Sequence, residues 1–262
     1  MPPQPVAVPA SRGALGGLQV ANNTASAIPE HVLSAFQLDG RVGLPLGAAW
    51  DNGVRYGRVV VSQASATAAW SGKARERAGE FGPGIGVSRP VRATDGRLVV
   101  GGFKASEFVD GRVLARIDET VAAALRFDDA MDGIDAPSAS RADAFDSAER
   151  AVWRGYTPQA GDVVAHTDFA SCLLFAGDAV PTLTDLVPSA GKRPRGYTAA
   201  LVIVDGLMAG AVDAAVLDRW AHVAGLRELA RRALEYRVAC AKASGSNVGA
   251  IAGRVQETLA SE

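Results

Sequence analysis

The chain has 262 residues, of which 48% are hydrophobic and 21% charged, a balance typical of a globular protein with a sizeable core. Its formal net charge of −1 argues against a binding surface for nucleic acid or an anionic membrane. Its two cysteines lack metal-ligand spacing, which argues against a structural zinc site and predicts reduced, buried thiols in a cytoplasmic protein.

The N-terminal part is predicted to contain a flexible tail followed by a strand-rich segment. Residues 1–26 carry four prolines and lack the basic head and apolar core of a signal peptide. A short helix is expected over 29–36, followed by two strands within 44–61 around the Asp51-Asn52-Gly53 turn. The pattern then predicts a helix over 65–79, a second hairpin formed by 87–93 and 97–103, and an extended segment over 107–111.

The remainder of the chain is predicted to be mainly helical. Helices are expected over 117–131, 142–154, 195–210, 213–239 and 246–259. Between the second and third of these, apolar runs at 171–175 and 183–186 around Gly177-Asp178 predict a β-hairpin. Asp205 and Asp213 interrupt the most apolar stretch, 197–217, so it is predicted to be buried helix rather than a membrane span. The fold class predicted is α+β.

Two acidic residues flank this predicted hairpin, Asp168 in the segment His166-Thr-Asp168 and Asp185 in Thr184-Asp185. The hairpin can bring both carboxylates to one edge, and phosphoryl transfer needs one to orient the attacking hydroxyl and one to hold Mg²⁺. These segments resemble the catalytic and metal loops of the aminoglycoside-phosphotransferase branch of the protein-kinase-like superfamily. The element order over about 28–255 is similar to that fold, and to an uncharacterised family from high-GC, actinobacterial bacteria.

The resemblance implies a two-lobed protein with a tail (1–26), an N-lobe (27–110) and a helical C-lobe (111–262). It implies that Asp168 orients or deprotonates an acceptor hydroxyl, that His166 holds the loop by hydrogen bonds, and that Asp185 binds Mg²⁺. Cys172 stands where the family has an Asn ligand, and a soft thiol is expected to weaken magnesium binding. The alternative for both aspartates is a turn-capping or helix-capping role.

The nucleotide-binding elements that the resemblance implies look degenerate. Gly47, Ala48 and Ala49 lie where the family closes a loop over the ATP phosphates, although an ordinary hairpin turn would have a similar sequence. Ser62 stands where the family has a phosphate-binding lysine, and the glutamate that pairs with this lysine is missing from the next helix.

Four further residues and one basic run complete these expectations. Glu107 and Phe108 would belong to the hinge that binds adenine through backbone groups. Lys73 is expected to be a solvated surface residue, with reach into the cleft as the alternative. Asp205 is expected to hold the catalytic loop by accepting its backbone N–H groups, and the basic run 192–195 to be a solvated loop.

Two functions follow from the resemblance. The first is phosphotransfer from ATP or GTP, with Mg²⁺, to the hydroxyl of a small-molecule acceptor by a weakened active site, which the retained aspartates favour. The second is a catalytically impaired pseudo-phosphotransferase that serves as a nucleotide sensor or protein-interaction scaffold, which Ser62, the missing helix glutamate and Cys172 favour. A hydrolase that uses His166, Asp168 and a metal is disfavoured, because only His31 and His222 remain as further histidines.

Overall fold

The computed structural model describes residues 28–77 and 83–261 and has the predicted α+β class. The tail expected at 1–26 lies outside the described residues. A sheet region (44–107) is followed by a mainly helical region (117–260). The described strands are β1 (Leu44–Pro45), β2 (Val54–Tyr56), β3 (Val59–Gln63), β4 (Gly86–Val87), β5 (Pro90–Val91), β6 (Val99–Val100), β7 (Phe103–Glu107), β8 (Val163–His166), β9 (Leu173–Leu174), β10 (Thr182–Leu183) and β11 (Pro188–Arg193).

The helices lie mostly where the apolar periodicity places them. The long helix expected over 213–239 is divided, because Gly225 takes a left-handed conformation (φ +66°) and starts a new helix. The described helices are α1 (Glu30–Ala35), α2 (Ala68–Arg77), α3 (Ile117–Ala130), α4 (Ala144–Val152), α5 (Phe169–Cys172), α6 (Tyr197–Met208), α7 (Ala215–Arg219), α8 (Leu226–Ala243) and α9 (Gly249–Ala260), with a 3₁₀ turn at Ala48–Trp50.

The larger sheet is antiparallel, with strands in the order β1-β2-β3-β7-β5 and β6 paired with β7. Strands β3 and β7 form its centre, in a register that places Ser62 directly opposite Lys104. One face of this sheet carries Val61 and Ala105 and packs against Val32 of α1. The valine-rich sequence of β3 suits this position, because β-branched side chains pack well on a half-buried pleated surface.

The strand-rich segment is more finely divided than the sequence indicates. Residues 44–61 form three strands rather than two, because a second turn at Gly57 separates β2 from β3. The hairpin predicted from 87–93 and 97–103 is wrong: β5 and β6 each pair with β7, and not with one another. Gly101 and Gly102, both at positive φ, form the tight turn between β6 and β7.

The helical region is built around α6, which packs between α3 and α8. Most of its side chains are buried, including Leu201 and Ile203, which confirms the prediction of a buried apolar helix. None of the described helices is both long enough and apolar enough to cross a membrane.

Backbone pairing joins the sheet region to the helical region. The predicted hairpin around Gly177 is present as β9 and β10, and β4 adds to β10 in parallel. Gly86 is required in β4, since an added Cβ would lie 2.8 Å from Thr182 Oγ1. A further bridge pairs Arg112 with Phe175, so the two regions are held together on both sides of the hairpin.

The basic run 192–195 is not the solvated loop that the sequence predicts. It lies at the end of β11, where Arg193 is buried and its Nε donates to Glu149 Oε1 over 2.6 Å. Arg195 donates to Asp129 and Asp132, at 2.9 Å each. Because these side chains pair with acidic groups of the helical region, the run serves the packing of this region.

Candidate functional site

The imidazole of His166 links the two loops that carry the predicted catalytic and metal residues. It lies at the end of β8 and is buried. Its Nδ1 accepts from the backbone N–H of Asp168 (3.1 Å), and its Nε2 is 3.0 Å from the carbonyl oxygen of Asp185. With the proton on Nε2, Nδ1 accepts and Nε2 donates to the Asp185 carbonyl; the N–H of Val187, 3.3 Å from Nε2, could donate to it only in the other tautomer. The histidine thereby connects the backbones of the Asp168 and Asp185 loops.

The Asp185 carboxylate lies in a network of donors between the sheet region and the hairpin. Its Oδ1 accepts from Ser71 Oγ (2.6 Å) and from the N–H of Leu186 (2.8 Å), and Arg75 Nη2 lies 3.6 Å away. Its Oδ2 accepts from the ammonium of Lys104. Ser71 and Arg75 occupy successive turns of α2, which places both on one face of the helix.

Lys104 lies directly opposite Ser62, the position at which the resemblance implies a phosphate-binding lysine. Because the two residues are directly opposite on neighbouring antiparallel strands, their side chains project from the same face of the sheet. Both line a cavity of about 10 Å³, with Ala49, Asp51 and Asp185. The Lys104 ammonium also donates to Asp51 Oδ2 over 2.7 Å. The signal for Lys104 is its place between Phe103 and Ala105 in a strand, where a buried ammonium needs partners.

This network perturbs the acidity of its members. Burial alone would raise the pKa of Asp185, but the charges of Lys104 and Arg75 outweigh it, and the pKa lies below its usual value. Burial alone would lower the pKa of Lys104, but Asp185 and Asp51 outweigh it, so the pKa lies above its usual value. Both groups are therefore charged at neutral pH and form an ion pair whose side chains are only 8% (Lys104) and 15% (Asp185) exposed.

The turn expected to close over nucleotide phosphates lies against the sheet and the hairpin. Gly47, Ala48 and Ala49 open a 3₁₀ turn, and the carbonyl of Ala49 accepts from Thr184 Oγ1 over 2.6 Å. The indole of Trp50, which the sequence analysis did not single out, is buried and stacks on Phe108 (centroids 5.6 Å apart, planes at 26°).

Trp50 packs in a small cluster with Val60 of β3 and Leu174 of β9.

The expected hinge groups are hydrogen-bonded within the protein. The N–H of Glu107 donates to Arg89 O (2.8 Å), its carbonyl accepts from Ser88 Oγ (2.7 Å), and the N–H of Phe108 donates to Arg58 O (2.7 Å).

A second cavity, also of about 10 Å³, lies beside Asp168. Arg237 lines it and pairs with Asp205 through Nε (2.6 Å) and Nη2 (2.7 Å), while Nη1 donates to the carbonyl of Thr167 (2.9 Å). The prediction that Asp205 accepts N–H groups of the loop is therefore wrong. Asp205 acts through Arg237, which holds a loop carbonyl instead.

The remaining predicted residues, Cys172 and Lys73, are not part of a group that could bind a metal. Cys172 ends the short helix α5, is buried, and packs in the main apolar core. Lys73 is exposed on α2, in agreement with the surface position predicted for it, and the nearby Glu76 is also exposed and pairs with Arg92 on the surface (2.6 Å). Within 28–77 and 83–261 there is no cluster of three His, Cys, Asp or Glu side chains with metal-binding geometry.

The arrangement does not fit a nucleotide–Mg²⁺ complex as it stands. Both oxygens of Asp185 accept hydrogen bonds, so a metal ion would have to displace Lys104 or Ser71. The cavity beside Lys104 has room for about one water molecule, whereas pockets for small-molecule ligands are commonly 300–1,000 Å³.

Comparison with known proteins adds no assignment. No protein-family model matches the chain, and no curated protein is similar to it in sequence.

Proposed function

We propose that this chain has the two-lobed kinase-like fold and acts as a catalytically impaired pseudo-phosphotransferase whose role is binding. The sheet region would be the N-lobe and the helical region the C-lobe, with Asp168 and Asp185 in the positions that the resemblance implies. The element order supports this fold: three strands, a helix and further strands precede the His166 loop and the β9–β10 hairpin.

One observation carries the functional part of the proposal: the internal pairing of Asp185 with Lys104 and Arg75. In a working phosphotransferase the metal-binding carboxylate must be available to Mg²⁺ and the lysine to phosphate oxygens. Here the two groups neutralise one another, and separating them would leave charges in a buried site, which costs several kcal/mol.

The closed arrangement is also supported by contacts between the sheet region and the hairpin. Arg75 Nη1 donates to the carbonyl of Thr184 (3.2 Å), and Ser88 N–H donates to Leu183 O (2.8 Å). Opening the cleft would break these bonds together with the β4–β10 pairing. A rigid, closed body of this kind suits a protein-interaction scaffold better than an enzyme that must admit and release nucleotide.

Weak phosphotransfer to a small-molecule hydroxyl is the second candidate, and Lys104 favours it. A lysine directly opposite Ser62 could take the phosphate-binding role if the cleft opened. Asp168 would then orient the acceptor hydroxyl, and ATP or GTP with Mg²⁺ would be the donor.

A turnover assay separates the two candidates. The protein and its Asp168→Asn variant are incubated with γ-labelled ATP, Mg²⁺ and a panel of hydroxyl-bearing acceptors, and released or transferred phosphate is measured. We expect equal, background rates for both proteins. Turnover that exceeds that of Asp168→Asn would contradict the proposal, and the variant controls for a contaminating ATPase.

A further inference from the structure

The strap, residues 138–143, is the last part of the connection between α3 and α4, and it sends an arginine into the cavity beside Asp168. The strap is largely exposed, but only 4% of the Arg141 side chain is exposed. Its Nη1 donates to Thr167 Oγ1 over 3.2 Å, and the side chain lines the cavity together with Asp168 and Cys240. A residue of a surface connection therefore fills space next to the aspartate that the resemblance places at the acceptor.

The guanidinium of Arg141 is incompletely satisfied in this buried position. The Asp143 carboxylate lies 3.8 Å from its Nε, too far for a hydrogen bond, and this Nε has no hydrogen-bond partner among the described residues. Arg237, which lines the same cavity, instead places both Nε and Nη2 on Asp205. Because a buried donor without a partner is unfavourable, the position of Arg141 carries a cost that the Nε of Arg237 does not.

The backbone of the strap is strained at the residue that follows Arg141. Ala142 has φ +55°, in the left-handed region where the Cβ of an alanine is crowded. Its N–H donates to Ser140 Oγ (3.0 Å), which in turn donates to Asp146 Oδ2 (2.7 Å). The closed strap thus combines a strained residue with an unsatisfied donor, and strain of this kind is typical of segments that have a second arrangement.

Arg141 ties the strap to the Asp168 loop, whereas the other hydrogen bonds described for the strap do not reach this loop. Those of Ser140, Ala142 and Asp143 stay within the strap or go to α4. Release of Arg141 would therefore leave the strap attached to α4 and able to move away from the loop.

We infer that the strap is an autoinhibitory closure over the Asp168 side of the cleft, with Arg141 as the group that holds it shut. Asp168 is 5% exposed while the strap is closed, and opening would admit solvent and ligands to the cavity beside it. The inference rests on the proposed function, because it adds a second block, separate from the Lys104–Asp185 pair, to a cleft that does not turn over nucleotide.

The test is the labelling of Cys240 by iodoacetamide under native conditions, with the labelled cysteine identified by peptide mass spectrometry. Cys240 is buried and lines the cavity, whereas Cys172 is buried outside it and reports wider unfolding. For Arg141→Ala we expect the labelling rate of Cys240 to rise by about tenfold or more, which corresponds to a shift of about 1.4 kcal/mol in the opening equilibrium. Cys172 should stay protected in the same sample.

The loss of charge alone predicts the opposite result. Burial raises the pKa of Cys240 to about 11, and the positive charge of Arg141 is among the influences that oppose this rise. Removing that charge would raise the pKa further, so less of the reactive thiolate would be present and labelling would be slower. Faster labelling therefore reports access of the reagent to the cavity.

Backbone variants separate the strap from the arginine that it carries. Proline cannot adopt φ +55°, so Ala142→Pro should displace the strap with Arg141 still present and raise the labelling of Cys240 to a similar extent. Glycine adopts this φ without strain, so Ala142→Gly should label no faster than the unmodified protein. Arg154→Ala removes an exposed arginine just after α4 and should also leave the labelling rate unchanged.

Selective labelling of Cys240 in both Arg141→Ala and Ala142→Pro supports the inference, and if one variant does not fold, the other decides. Protection of Cys240 in folded Arg141→Ala overturns it. Labelling in Arg141→Ala but not in folded Ala142→Pro also overturns it, because the arginine would then only fill a hole. Joint labelling of Cys240 and Cys172 in both variants shows general unfolding and overturns a local closure.

Failure of the proposed function would instead appear as ATP turnover by the unmodified protein. Turnover and cysteine labelling are measured separately, and each result can occur without the other.

Discussion

Replacing Lys104 with methionine tests whether the buried network stabilises the fold. The substitution keeps a chain of similar length but removes the only ammonium that contacts Asp185 Oδ2 among the described residues. Breaking a buried pair by removing one partner commonly costs 3–5 kcal/mol. Asp185 keeps Arg75 at 3.6 Å and two hydrogen bonds, so we expect a loss of about 3 kcal/mol, at the lower end of this range.

Urea unfolding measured by circular dichroism gives this free energy directly, and thermal unfolding should show a fall of about 6–12 °C. The control is Lys73→Met, a lysine exposed on α2, which should change the unfolding free energy by less than about 0.5 kcal/mol. If Lys104→Met is as stable as Lys73→Met, the network does not hold the cleft closed and the reasoning fails.

The same pair of proteins has a defined pH dependence. The pKa of Asp185 is lowered on folding, so its contribution to stability is present above the unfolded value near 4 and is lost as the pH falls below it. In Lys104→Met the pKa of Asp185 is lowered less, so less of this stabilisation is present at neutral pH and less is lost on acidification. The stability difference between parent and Lys104→Met should therefore shrink from pH 7 to pH 3, and a constant difference would contradict this assignment.

Three further predictions concern groups outside the network. Burial raises the pKa of Asp128 to about 7, so its charged form opposes folding. From pH 4 to pH 8 the stability of Asp128→Asn relative to the parent should therefore rise by up to about 4 kcal/mol. Urea unfolding measures this difference, and a difference that does not change with pH would refute the prediction. Asp205→Asn leaves Arg237 buried without its carboxylate and should lower the free energy of unfolding by about 3–5 kcal/mol. The control Asp178→Asn, at an exposed position, should be near neutral, and equal effects of the two variants would show that the Asp205–Arg237 pair does not stabilise the fold. Both cysteines are buried, and burial raises the pKa of Cys240 to about 11, so a thiol reagent should label neither until the protein unfolds; rapid labelling of the folded protein would contradict the buried positions.

The spacing of apolar residues predicted most of the helices. The side chains that a helix buries against the core recur with the helical period, so they mark both the type and the position of the element. The buried position of α6 could be predicted from the sequence for this reason. The pairing of the strands could be predicted less well from the sequence. Two successive runs with a turn between them suggest a hairpin, but β5 and β6 both pair with β7, along the edge opposite to β3.

The candidate site was predicted in part. His166, Asp168 and Asp185 were identified from local sequence, and the structure connects their loops through the imidazole. Lys104 was missed because its relation to Ser62 depends on the register of two strands about forty residues apart in the chain. Contacts of this kind arise from tertiary structure and leave little local signal beyond a lysine next to apolar residues in a strand.

Calorimetric titration of the purified protein with ATP and with GTP, each with and without Mg²⁺, shows whether the cleft is closed by its own charges. We expect no binding at millimolar nucleotide, because Asp185 and Lys104 are paired with one another. Micromolar binding that depends on Mg²⁺ would contradict it and would show that the two aspartates serve a working phosphate site.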